Sequence, residues 1–341
     1  MNAPKRITQQ DIARAAGVSR GAVSLALSGH PSISGETRDR INKIAIELGY
    51  APDPMLTALA SYRHGRRPAE FRGTLAWLAQ TTETFDWRTI AHFAAYLEAA
   101  RTRAEFHGYR IEVLDLQEMG ISWSRAATIA KSRGIDGVLL CPQPYSYMDL
   151  ADFPWSDFAA VTFGYSIANP KLHSVAPAQY RASFNTMKEL LARGYQRIGF
   201  ALNSWHDQRT DHNYLAGYLT AWELHNPSER IPPCVDNDVG PWMKQYRPDA
   251  VITGDVRFLE KLAELGLSAP KDLGVACPLL DSPANPMAGV WEDNHQIGRA
   301  AVDFLVSLLH QGERGVPPHP QRLLVEGMWG PGRTLRPLPS D

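Results

Sequence analysis

Several polar side chains near the N-terminus have the types and spacing needed to read a nucleic acid. Arg20, Gly21, Ser24, Leu25 and Ser28 fall on one face of a short helical stretch, with Ser19 just before it. A guanidinium such as Arg20 either donates two hydrogen bonds to a guanine edge or contacts a phosphate. Leu25 makes apolar contact only, as with a thymine methyl. Ser19, Ser28 and Thr8 are short hydroxyls suited to phosphate clamping, and for Ser19 and Thr8 helix capping is an equal reading. Tyr50 either touches the DNA backbone or packs. A second set of side chains sits after apolar runs: Phe85 and Trp87 in Thr84–Trp87, Tyr145 in Pro142–Tyr147, Trp205 in Asn203–Asp207, then Asp255 and Asp281. Rings beside carboxylates and amides suit a sugar, whose faces stack and whose hydroxyls need paired acceptors and donors.

The first set must be carried by helices. Thr8 with Asp11 is a capping signal for a helix starting near Gln9, with Ile12, Ala13 and Ala16 as its apolar positions. Gly17 ends it, because glycine takes the left-handed turn conformation without a clash. Ser19 caps a second helix to about Leu27, anchored by Val23 and Leu27. Ser34 starts a third, where Ile41, Ile44, Ala45 and Leu48 follow the i, i+3, i+4, i+7 pattern. Two helices joined by an Ala-Gly-Val turn make a helix-turn-helix, whose second helix enters the major groove. Charge agrees: residues 1–72 hold eleven Lys and Arg against six Asp and Glu, and the rest of the chain 24 against 30. A basic head on an acidic body is the footprint of a module that binds a polyanion.

Beyond residue 73 short apolar runs alternate with longer amphipathic ones. Strands are expected at Thr74–Ala79, Tyr109–Leu114, Gly137–Cys141, Phe158–Phe163, His173–Val175, Arg197–Leu202, Ala250–Thr253 and Gly274–Cys277. Helices are expected at Thr89–Phe106, Arg125–Arg133, Arg181–Ala192, Tyr214–His225, Arg257–Leu265 and His295–His310. That alternation predicts parallel βαβ units in two doubly wound halves, hence an α/β protein. The 341 residues suffice for a small domain plus one or two larger ones. Three widely separated cysteines, Cys141, Cys234 and Cys277, suit a reducing cytoplasm and carry no metal spacing. No secretory signal or membrane span is expected. There is no phosphate-cradling loop and no nucleophile elbow, so no catalytic residue, metal or cofactor is predicted. His206-Asp207 and Asp211-His212 read as solvated loop residues.

The words Thr8, Asp11-Ile12-Ala13, Ala16-Gly17-Val18-Ser19, Val23-Ser24, Thr37-Arg38, Ile41, Leu48-Gly49-Tyr50 and Pro52 together resemble the headpiece of the lactose-repressor (LacI/GalR) family of bacterial transcription regulators. Arg193-Gly194-Tyr195-Gln196-Arg197-Ile198, Ala216-Gly217-Tyr218 and Asp293-Asn294 with Ile297-Gly298 extend the likeness over nearly the whole chain. The resemblance implies a helix-turn-helix headpiece at 1–50, a hinge helix and linker at 51–73, and a two-lobed periplasmic-binding-protein-like core at 74–341. Lobe 1 would span about 74–174 and 292–322, and lobe 2 about 175–291 and 323–341. It implies a cytoplasmic homodimer on a near-palindromic double-stranded operator, acting as a repressor. A small-molecule effector, a carbohydrate among the candidates, would bind between the lobes.

By the same resemblance Arg20 and Gly21 take the specificity positions, and Leu59 takes the minor-groove wedge. Departures are plain. Leu25 stands where most members carry a guanine-reading arginine, and Ser28 replaces an asparagine. In the hinge, Asp53 and Pro54 break the pattern, and Leu56-Thr57 replace an Ala-Arg pair. In the core Tyr214 occupies the usual effector arginine's place, Ala178 that of an acid, and Pro278–Asp281 that of a Gly-Phe-Asp word. Two alternatives stay open: a solute-binding protein with no DNA role, and a regulator whose effector pocket has degenerated.

Overall fold

The structure is a computed structural model that describes residues 7–27, 33–48, 50, 71–225, 230–234, 238–255 and 257–339. Three helices come first: α1 (Gln9–Ala16), α2 (Arg20–Leu27) and α3 (Gly35–Glu47). Ile12, Ala13, Ala16, Val23, Ala26, Ile41 and Ala45 form their shared core. The second anchor of α2 is therefore Ala26, with Leu27 only partly buried, and Leu48 is exposed at the end of α3.

The remaining chain builds two sheets. The strands are β1 (Gly73–Ala79), β2 (Tyr109–Asp115), β3 (Gly137–Leu140), β4 (Met148–Asp149), β5 (Ala159–Phe163), β6 (Ile167–Asn169) and β7 (His173–Pro177). They continue with β8 (Ile198–Ala201), β9 (Ala250–Thr253), β10 (Gly274–Leu280), β11 (Ala288–Trp291), β12 (Arg322–Val325) and β13 (Met328–Gly330). The first sheet has the order β12-β7-β5-β3-β1-β2 and is parallel throughout. The second has the order β13-β11-β10-β9-β8, parallel except for the β11/β13 pair. The short β4 and β6 pair separately. Central strands such as Gly137–Leu140 and Ala250–Thr253 are buried at every residue, as expected of a parallel sheet covered on both faces.

The covering helices are α4 (Ala91–Phe106), α5 (Leu116–Met119), α6 (Trp123–Ser132), α7 (Gln179–Ala192), α8 (Ser204–Arg209), α9 (Asn213–His225), α10 (Val239–Tyr246), α11 (Phe258–Glu264) and α12 (Asn294–Gln311). The chain passes between the sheets three times: from β7 into α7, from β11 into α12, and from β12 to β13. The first sheet thus runs to Pro177 and Val325, a few residues past the lobe limits expected at 174 and 322. Elements not anticipated from sequence are α5, α8, α10, β4, β6, β11, β12 and β13. The stretch expected as a solvated loop at 203–207 is mostly α8, opened by Asn203, whose side chain accepts from the His206 N–H at 2.7 Å.

Small residues set how closely the layers meet. α12 returns to the first lobe and lies on α4 so tightly that a Cβ at Gly298 would stand 2.3 Å from the Tyr96 carbonyl oxygen. Overpacking of this kind costs about 1–3 kcal/mol, more than the ~1 kcal/mol that alanine's helix propensity returns. Gly298→Ala is expected to lower the urea midpoint of the core transition. A raised midpoint would contradict the α4/α12 contact.

Candidate nucleic-acid interface and interlobe pocket

In the headpiece the caps fix where each helix begins. The Thr8 backbone N–H donates to Asp11 Oδ2 at 2.9 Å, and its hydroxyl donates to the same oxygen at 2.6 Å. That proton of Thr8 is thus engaged within the cap. Gly17 takes φ 65°, and the Val18 N–H closes the turn on the Ala13 carbonyl at 3.1 Å. Ser19 Oγ accepts from the Ala22 N–H at 3.1 Å, which leaves its O–H proton for a second partner. With Val23 and Ala26 buried, the opposite face of α2 turns outward: Arg20, Gly21, Ser24 and Leu25 are all exposed. Tyr50 is half-buried against the headpiece core, and its N–H donates to the Ala45 carbonyl at 2.9 Å. Ser28 and Leu59, with the hinge at 51–70, lie outside the described residues.

Between the two lobes lies a cavity of about 100 Å³. Its walls include His92, Phe93 and Tyr96 of α4, Phe163 at the end of β5, Gln179 of α7, and Trp205, His206 and Arg209 of α8. Tyr214, Asp281, Glu292 and Asn294 add further polar groups to its lining, with Tyr165, Ser166 and Thr210. Most of these residues sit at strand ends or helix starts, where parallel sheets place their ligands. The cavity is smaller than the roughly 300–1,000 Å³ of ordinary ligand sites, so a sugar-sized ligand needs the lobes to part.

Of the residues expected at an effector site, Trp205, Tyr214 and Asp281 line this cavity. The Phe85 ring lies behind it, 5.5 Å from the Arg209 guanidinium carbon. Trp87 belongs to the lobe 1 core and donates from Nε1 to Asp115 at 2.9 Å. Tyr145 is exposed on the Pro142–Tyr147 loop, away from the lining. Asp255 stands apart too: its Oδ1 accepts from the Arg257 N–H at 2.9 Å, and its carboxylate pairs with Lys261 at 2.8 Å. Sequence reasoning missed Arg209, His92, Glu292, Gln179 and Asn294. It also read His206 and Asp207 as solvated, whereas His206 lines the cavity and Asp207 is buried, paired with His212 Nδ1 at 2.5 Å. The available signal was Asn203, a helix N-cap type that places the following residues on a helix.

The electrostatics of the cavity follow from burial. It pushes the His92 imidazole down to about 3, helped by nearby His206 and Arg209, and His206 down to about 4, helped by Arg209. Both rings are neutral at neutral pH. Burial pushes Glu292 up to about 7, and the hydroxyl of Tyr214, donating to its Oε1 at 2.5 Å, offsets only part of this. Among the described residues no cluster of three His, Cys, Asp or Glu side chains comes together as a metal site. No helix among them is long and apolar enough to cross a membrane. All three cysteines are buried, and none forms a disulfide among the described residues.

A small helix-turn-helix with an outward polar face, joined in sequence to a two-lobed fold with a cavity at its seam, defines the class by its build: a helix-turn-helix headpiece on a two-lobed α/β core. Residues 8–53 match the model for bacterial regulatory proteins of the lacI family, and residues 187–329 that for a periplasmic binding protein-like domain. The chain is thus similar to lacI-family regulators in its headpiece and to periplasmic-binding-protein-like domains in its core. It is 27% identical over 226 residues to the regulator AscG of Escherichia coli K12, covering 64% of this chain and 61% of AscG. It is 24% identical over 331 residues to the repressor CytR of the same organism, covering 90% of each. The match to AscG therefore spans about three-fifths of that relative. Two solved structures share the fold at 18% identity: the CelR–cellobiose complex (TM-score 0.60, 96% of this chain, 100% of that one) and the lac repressor dimer bound to operator and the anti-inducer ONPF (TM-score 0.58, 97% and 99%).

Two predictions follow from this geometry. Glu292 titrates near 7 when folded against an ordinary 4.5, so folding favours its protonated form. Stability is then unaffected below about 4.5 and falls as pH rises through 7, by on the order of 3 kcal/mol. Urea unfolding between pH 5 and 8 should show this decline in the wild type and its loss in Glu292→Gln; parallel profiles would contradict it. In the headpiece, Arg20→Ala should weaken binding to a preferred site by roughly 1–3 kcal/mol if the guanidinium reads a base. An equal loss on random DNA, measured by fluorescence anisotropy, would reduce Arg20 to a phosphate contact.

Proposed function

We propose that this chain is a sequence-specific DNA-binding transcription regulator, acting in the cytoplasm as a repressor. It binds a near-palindromic double-stranded operator as a homodimer, and a small molecule between the core lobes modulates that binding. The observation that carries this reading is the exposed face of α2, where Arg20, Gly21, Ser24 and Leu25 stand clear of a core that occupies the opposite face. A helix docked in the major groove presents such a face near its N-terminus. The likeness to CytR along 90% of both chains supports one protein that joins headpiece to core.

The headpiece occupies 1–50, the hinge 51–73 and the core 74–341. Arg20 and Gly21 take the specificity positions, with Ser24 beside them. Leu25 contributes apolar contact, so the operator lacks the guanine that an arginine there would select. Ser19 and Ser28 hold phosphates, Thr8 does so only by giving up its hydroxyl bond to Asp11, and Leu59 is assigned the minor-groove wedge. Tyr50 packs on the headpiece. In the core the effector is a carbohydrate or a near relative, since Trp205, Tyr214 and Asp281 offer a ring face, a hydroxyl and an acceptor around the cavity.

Selection of bound sequences from a random DNA library by the purified protein tests the reading. Two inverted half-sites should emerge, and Leu25→Arg should shift each toward a guanine. Salt-sensitive binding with no motif, with and without a metabolite pool, would overturn it.

A further inference from the structure

The cavity wall holds one charged side chain whose needs its surroundings meet only in part. Arg209 is 8% exposed, at the C-terminal end of α8. Its guanidinium donates to the Gln143 carbonyl of the first lobe and lies over aromatic faces, with its central carbon 4.6 Å from the Trp205 ring, 5.5 Å from Phe85 and 5.9 Å from Phe93. Among the described residues no carboxylate stands within ion-pair distance of it. Ring faces and one carbonyl compensate a buried cation only in part, and a buried charge left without a counter-ion is costly.

The other charged or titratable groups of the wall do not supply the missing anion. His92 and His206 are neutral at neutral pH. Glu292 is partly protonated there and is engaged by Tyr214. Asp281 is exposed at the rim, where its carboxylate accepts from Asn285 at 3.3 Å. Two buried acceptors of the same wall, Gln179 Oε1 and Asn294 Oδ1, have no donor among the described residues. A buried polar atom without a partner in a cavity wall marks where a ligand's polar group belongs.

We propose that the effector is an acidic polyol, a sugar carrying a carboxylate or phosphate, whose anion docks on Arg209 while its hydroxyls donate to Gln179 and Asn294. This deepens the regulator reading and rests on it, since it assigns the chemistry of that same cavity. Three features of the wall divide the work. Arg209 takes the charge, the two amide oxygens take hydroxyl protons, and the Trp205 ring covers a sugar face. A neutral sugar meets the last two and leaves Arg209 as it is.

Isothermal titration calorimetry on the full-length protein tests the assignment with D-galacturonate, D-glucuronate, D-gluconate, glucose 6-phosphate and galactose 6-phosphate, each against its neutral parent sugar. At least one acid should bind ten-fold or more tightly than its parent, and the carboxylate and phosphate arms separate the two sources of charge. Arg209→Met should abolish that preference, while Arg209→Lys, which keeps the charge, should retain part of it. Parity between acid and parent would overturn the charge assignment while leaving the cavity a sugar site. Failure of every acid to bind would overturn it outright. A bound acid that leaves the affinity for the selected operator unchanged would count against the regulator reading instead.

Discussion

A buried guanidinium ties the two lobes together at their seam. Arg209 reaches from α8 of the second lobe to the Gln143 carbonyl of the first, and it rests on rings from both. Taking a cation out of water is expensive unless its partners compensate. Here the compensation comes from both lobes at once, so separating them changes the environment of the charge. The charge also bears on the protonation of two groups beside it. His92 and His206 lose their protons chiefly through burial, and the nearby Arg209 adds to the effect. Glu292 sits where the chain passes from β11 to α12, held by Tyr214 from the second lobe.

The headpiece solves a different problem with small means. Among the described residues its core holds seven buried side chains, so caps matter to its order. Thr8 with Asp11, Ser19 with Ala22 and Ser34 with Thr37 each satisfy helix-start donors that water or the next element would otherwise have to meet. Once the caps and the Gly17 turn are set, the outward direction of Arg20, Ser24 and Leu25 follows from Val23 and Ala26 facing in.

Much of this was legible in the sequence because it depends on local signals. Capping residues, the Gly17 turn and helical periodicity specify the headpiece, and apolar runs such as Gly137–Leu140 and Ala250–Thr253 announce buried parallel strands. What escaped depends on tertiary context. β12 and β13 are short and exposed along much of their length, so periodicity carries no trace of them. β11 contains Gly289 at φ 156°, where any Cβ would collide with the Cys277 backbone, and it reads as a break. Arg209 looked like one more polar residue in NSWHDQRTDH, since only the fold brings Gln143 and Phe85 to it. Trp87 misled for the converse reason: its indole finds Asp115 inside its own lobe. An aromatic in a loop after a strand does not say which way it points.

If the headpiece and the seam belong to one switch, each must sense the other, because coupling between two sites is reciprocal. The most direct measurement is hydrogen–deuterium exchange of the full-length protein with and without its selected operator. The account predicts that operator binding changes amide protection in the core as well, in α8 and around Gln143. Changes confined to the headpiece residues, with the seam unaltered, would contradict it.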